Sequence, residues 1–149
     1  MISQAVAETI ANNVRSTIIK EHLNDPAYSD LMSKLLEEII EDLRARRVDY
    51  AAYLHRIADL AKRVVTGMAD DTPERLKRSA ALRALYNNLD KDEGLAIRLD
   101  EVVRATRPDD WRGNQPRENT IKAALLPLMG GDVAQVERIF LVIKQQPEY

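Results

Sequence analysis

Apolar residues recur along this chain at spacings of three and four, separated by polar positions. Val6, Ile10, Val14 and Ile18 stand four apart, which puts them on one face of a first helix over about Ser3 to Glu21. The stretch HLNDPAY breaks that period, and Asp25-Pro26 restarts it. Aspartate is a good N-cap acceptor, and proline at the first helical position misses no hydrogen bond. The second helix takes its stripe from Leu31, Leu35, Ile39 and Leu43, widened by Leu36 and Ile40. Its polar face runs from Glu37, Glu38, Glu41 and Asp42 to Arg44, Arg46 and Arg47, the order that suits the helix macrodipole. After a turn at Arg47-Val48-Asp49, Tyr50, Leu54, Ile57, Leu60, Ala61 and Val64 mark a third helix. Two long helices joined by so short a turn predict an antiparallel αα-hairpin.

The period lapses in TGMADDT, Thr66 to Thr72, which reads as a linker. Thr72-Pro73 predicts the start of a fourth helix carrying Leu76, Ala80, Leu82, Leu85 and Tyr86. Asp90 with Glu93 reads as a capping box for a fifth, with Leu95, Ile97, Leu99, Val102 and Val103. A sixth is predicted over about Glu118 to Met129, ending at Gly130-Gly131. Asp132 and Gln135 cap a seventh, bearing Val133, Val136, Ile139, Phe140 and Ile143, which Pro147 stops. The expected fold is all-α: a bundle of about seven helices including a long antiparallel αα-hairpin. Residues 1–149 are expected to form a single helical domain. Within it, 1–24 is a bridging extension, 25–65 the hairpin and 73–149 a smaller bundle.

Composition agrees with that reading. With 149 residues, 45% hydrophobic, 31% charged and only 5 glycines, the chain has a helix-rich globular balance. A domain of this length buries about 68–70% of its unfolded surface, so it needs no covalent staple. The absence of cysteine excludes disulfides, thiolate catalysis and Cys-type zinc sites. A net charge of −2 and a pI near 5.7 give no global nucleic-acid footprint. Apolar runs are only a few residues long, and the start MISQAVAETIANN lacks a basic n-region, so neither a membrane span nor a signal peptide is expected. These features point to a cytoplasmic protein.

Candidate chemistry is sparse. The sequence has no G-x-x-x-x-G-K-[ST] phosphate loop and no G-x-G-x-x-G. His22 and His55 lack metal-ligand spacing and read as ordinary helix-surface histidines. The Glu37, Glu38, Glu41 and Asp42 face lacks the Glu-x-x-His pattern of dinuclear bundle sites and reads as solvated. Two basic clusters could track phosphates: Arg44, Arg46, Arg47, Arg56, Lys62 and Arg63 make one, and Arg75, Lys77, Arg78 and Arg83 the other. The acids beside them favour ordinary solvated faces. The only tryptophan sits in DDWRGNQP, Asp109 to Pro116, whose glycine and proline make it a loop. Trp111 is expected to be buried as a plug, with Arg112 and Asn114 serving the loop, and Asp109 or Asp110 either pairing with Arg112 or accepting N–H groups in the turn. The competing reading makes the loop a partner anchor.

Several segments, taken in order, resemble a known family. AETIANNVRSTIIKEHLNDPAY, LMSKLLEEIIEDLRARRVDYAAYLHRIADLAKRV, ALRALYNNL, DDWRGN and the closing VERIFLVIKQQPEY are similar to the C-terminal helical region of the restriction (R) subunit of type I restriction-modification enzymes. The more specific parts are ALYNNL, DDWRGN and the terminal EY, because helix periodicity does not demand them. The resemblance implies a parent chain that is a site-specific deoxyribonuclease and ATP-dependent DNA translocase. Its nuclease and motor domains, with their ATP and Mg sites, belong to other parts of that chain, and this region carries no cofactor or metal of its own. The implied role is non-catalytic assembly onto the methyltransferase and specificity subunits, beside the motor domains. The alternative is a helical domain that contacts and guides duplex DNA directly. Candidate partner or DNA contacts are Trp111, Arg112, Asn114, Arg44, Arg47, Lys77 and Arg78; no catalytic residue is expected.

Overall fold

The computed structural model describes residues 4–22, 24–66 and 72–149. Among them are seven α-helices and no strand. These are α1 (Gln4–Glu21), α2 (Pro26–Arg44), α3 (Tyr50–Thr66), α4 (Ala80–Asn88), α5 (Glu93–Thr106), α6 (Gln115–Leu125) and α7 (Val133–Lys144). They fall into two compact units, Met1–Asp70 and Asp71–Tyr149, each with its own apolar core. Most of the predicted linker, residues 67–71, lies outside the described residues, as does Ser3.

The first unit is a three-helix bundle. The αα-hairpin of α2 and α3 is present, and α1 packs along both of its helices. Helix α1 forms one wall of this core, with Ala7, Ala11, Val14 and Ile18 buried on it. The buried face is rotated from the predicted stripe, and Val6 is 48% exposed while the alanines turn inward. Small side chains let the backbone of α1 approach closely enough for the buried Tyr53 hydroxyl to donate to the Ala7 carbonyl at 2.8 Å. On α2 the centre of the stripe moves likewise, from Leu31 and Leu35 to Tyr28, Met32, Leu36 and Ile39.

Both ends of α2 are built locally. Asp25 accepts from the Tyr28 amide at 3.2 Å, and Pro26 opens the helix as predicted. At the other end Arg46 takes a left-handed φ of 57°. The Arg46 amide donates to the Leu43 carbonyl at 3.1 Å and the Arg47 amide to the Asp42 carbonyl at 2.8 Å, the paired bonds of a Schellman motif. The Asp49 carboxylate then caps α3, accepting from the Ala52 amide at 2.8 Å. His22 corrects one expectation. It is buried, not on the surface, with Nε2 2.5 Å from the Val64 carbonyl and its ring edge-on to Tyr28 at 4.7 Å. The nearby Tyr28 hydroxyl donates to the Arg63 carbonyl at 2.6 Å, so His22 after α1 and Tyr28 in α2 both tie to the end of α3.

The second unit packs α4, α5, α6 and α7 around Leu82, Leu85, Leu99, Ile121, Ile139 and Ile143. Three predicted boundaries shift. The helix expected from Thr72-Pro73 is only a 3₁₀ turn over Glu74–Leu76, and α4 begins after Ser79, which accepts from the Leu82 amide at 3.2 Å. The cap of α5 is Asp92, not Asp90; Asp92 accepts from the Leu95 amide at 3.0 Å, while Asp90 and Lys91 take left-handed φ in the turn. Helix α6 starts earlier and stops earlier than predicted. Asn114 is its cap, and beyond Leu125 the proline at 127 denies an amide to the next turn. The Asp132 cap of α7 is as predicted, accepting from the Gln135 amide at 3.2 Å.

Candidate functional site

Two places gather the residues singled out in the sequence, one in each unit. In the second unit the DDWRGN loop lies against the chain's last residues. Asp110 and Gly113 both take left-handed φ, 52° and 79°, and between them the loop turns Trp111 inward. The indole is 3% exposed and lies 5.7 Å from the Phe140 ring of α7. Arg112 covers it from outside, its guanidinium carbon 4.5 Å from the indole centre. The same guanidinium donates to the main-chain oxygens of Lys144 at 3.0 Å, Tyr149 at 2.8 Å and Gln146. Carbonyls at a helix C-terminus have no partner within the helix, and a fixed cation there complements the dipole.

Of the two roles open to Asp109 and Asp110, pairing with Arg112 gives way to main-chain oxygens, which take its guanidinium. Asp109 contributes its own carbonyl instead, to Arg117 at 2.6 Å. Asn114 accepts from the Arg117 amide at 3.2 Å as the cap of α6. Glu118 holds the loop from the other side: it accepts from the Gly113 amide at 2.8 Å and pairs with Lys144 at 2.9 Å. Those two donors, Lys144 first, hold the Glu118 carboxyl below its ordinary value.

Glu148 and Tyr149 extend this lock to α4 and α5. The Glu148 carboxylate accepts from the Ser79 hydroxyl at 2.7 Å and the Ala81 amide at 3.0 Å, so it caps α4 from a distance in sequence. It also pairs with Arg104 at 3.0 Å. Burial pushes the Glu148 carboxyl up, but the hydrogen bonds from Ser79, Ala81 and Arg104 outweigh it and hold it below the ordinary value. The Tyr149 hydroxyl donates to buried Asp100 at 2.6 Å. Burial first, and that carboxylate second, raise the phenol well above its ordinary value. Glu148 and Tyr149 were not among the candidate contacts; their signal was the specificity of the terminal EY.

The first unit holds a groove of about 970 Å³ between the first half of α1 and the α2–α3 turn. Ala7, Ala11 and Tyr53 form its floor, and Leu43, Val48 and Tyr50 its wall. Arg15, Arg44, Arg46 and Arg47 line it as well. Two of these cations are engaged. Arg15 pairs with Glu37, and Arg47 with Asp42 at 3.1 Å. Asp42 also binds Arg56 at 2.7 Å, and the two guanidinium groups, Arg56 first, hold its carboxyl below the ordinary value. Arg44 and Arg46 are exposed, and among the described residues no carboxylate pairs with either. Arg46 belonged to a basic cluster in the sequence, and Arg15 to none; nothing in the periodicity brings α1 to that turn.

The remaining candidates are separate. Lys77 pairs with Glu74 at 3.0 Å, and Arg78 is exposed beside it on the second unit. His55 lies on the surface of α3, 3.6 Å from Asp59. Among the described residues no three His, Asp or Glu side chains are grouped to hold a metal ion, and no helix is long and apolar enough to cross a membrane. The chain matches no family model, no curated protein and no solved structure.

Proposed function

We propose that this chain is a non-catalytic assembly domain of the R subunit of a type I restriction-modification enzyme, docking the motor and nuclease to the methyltransferase–specificity core. One observation supports the likeness beyond helix periodicity. The three segments that carry it most specifically belong to one core. Tyr86 and Leu89 of ALYNNL and Trp111 of DDWRGN share that core with Tyr149 of the terminal EY, and Arg112 joins the last two directly at 2.8 Å.

The reading places the parent's ATP and Mg sites, and its nuclease, in other domains of a cytoplasmic complex. Its test is a binding measurement against a purified methyltransferase–specificity complex. Saturable binding that declines little with added salt is expected, because an interface with an apolar centre is less salt-sensitive than phosphate contacts. No binding to that complex overturns the reading. Affinity for duplex DNA alone, falling steeply with salt, replaces it with DNA guidance through Arg44, Arg47, Lys77 and Arg78.

A further inference from the structure

We propose that the groove between α1 and the α2–α3 turn receives an acidic amphipathic helix of a partner protein, with Arg44 and Arg46 pairing its carboxylates. The inference rests on the docking reading for the partner's identity, while its chemistry comes from the groove itself.

Residues 1–70 carry nine Lys and Arg against eleven Asp and Glu, so the unit is acidic as a whole. Four of those nine cations line the groove, against only Glu8 and Asp49 among the acids. Asp49 is already occupied in capping α3 at 2.8 Å. The local sign is thus opposite to that of the unit, and it is concentrated at a concavity.

Arg46 also stands at an unusual backbone position. It occupies the left-handed site that ends α2, φ 57°, where glycine is the favoured residue and a side chain costs stability. Its own side chain makes no ion pair among the described residues. A side chain held at that position, with no ion pair of its own among the described residues, is open to a contact outside the fold.

The floor decides the class of partner. Ala7 and Ala11 keep α1 low, and Leu43, Val48 and Tyr50 present apolar walls. Leucine-sized side chains on a helix, spaced at three and four, suit such a trough, with carboxylates on the flanks reaching the arginines. A DNA duplex offers phosphates to the arginines but no apolar side chain for the floor.

The test uses the full chain and, as probe, a synthetic helical peptide of about four turns, with leucine along one stripe and glutamate on its flanks. Wild type is expected to bind it saturably, and Arg44→Glu/Arg46→Glu to bind it about tenfold or more weakly. Lys20→Glu/Lys34→Glu, with the same charge change away from the groove, should bind as wild type. The decisive variant is Arg46→Gly, which is expected to melt at a higher temperature yet bind more weakly. A peptide carrying lysine in place of glutamate should not bind. Equal affinity of wild type and Arg44→Glu/Arg46→Glu, or no binding by wild type, overturns the groove. Preference for a short DNA duplex, lost in the same variant, overturns it in favour of a nucleic-acid site. Peptide binding without affinity for the methyltransferase–specificity complex sinks the docking reading and leaves the groove standing; the reverse result does the opposite.

Discussion

The Arg112 guanidinium donates to the Tyr149 main-chain oxygen at 2.8 Å while lying over Trp111 at 4.5 Å. One side chain therefore joins the loop between α5 and α6 to the end of the chain. The indole beneath it fills the core, and the arginine seals the loop over it.

Trp111→Ala should remove this plug and cost about 3–5 kcal/mol, the range for large aromatic truncations in a core. Thermal and denaturant melts check it. A midpoint that barely moves would show that the loop is held by its hydrogen bonds alone. Arg112→Lys should also destabilise, since an ammonium keeps the charge but cannot reproduce the three-way fork to Lys144, Gln146 and Tyr149.

Tyr149→Phe should cost about 1–3 kcal/mol, because buried Asp100 then loses one of its donors and keeps, among the described residues, Arg104 at 3.0 Å. The pH dependence has a definite sign. Folding raises the Tyr149 phenol above its ordinary 10.0, so its contribution is complete below that value. It is lost as pH rises above it, because the unfolded chain releases the proton first. The Tyr149→Phe variant should therefore show a shallower loss of stability above pH 10.0 than wild type does.

Glu148 gives the opposite limb. Its folded carboxyl lies below the ordinary 4.5, so its stabilising effect is present above that pH and fades as pH falls through the folded value. Glu148→Gln should lower the melting temperature at neutral pH and flatten the acid limb. One amide oxygen cannot serve Ser79, the Ala81 amide and Arg104 together. An acid limb unchanged in the variant would mean that other carboxylates dominate it.

In the first unit, Tyr53→Phe removes the donor to the Ala7 carbonyl. A loss of about 1 kcal/mol is expected. Hydrogen exchange should quicken in α1 more than at the buried Leu36 or Ile39 of α2. Uniform quickening across the unit would show that this bond does not hold α1 specifically.

Local rules determined much of this protein. The spacing of apolar residues produced an all-α fold, because helix periodicity needs only neighbours three and four apart. Asp25-Pro26 and Asp132 were legible as caps because a cap bonds within its own turn. The short turn after Arg47 sufficed for the hairpin. Cap choice failed where several acids or hydroxyls compete within a few residues. Asp92 won over Asp90, and Ser79 over Thr72, because the backbone of the preceding turn decides which side chain meets an open amide. Which alanine or valine of α1 turns inward also depended on tertiary packing, since close approach to Tyr53 selects the small side chains. Only the tertiary structure could bring Arg15 to the arginines of the α2–α3 turn, or Glu148 to the start of α4. Those partners lie far apart in sequence, and no periodicity encodes a meeting that chain folding alone creates.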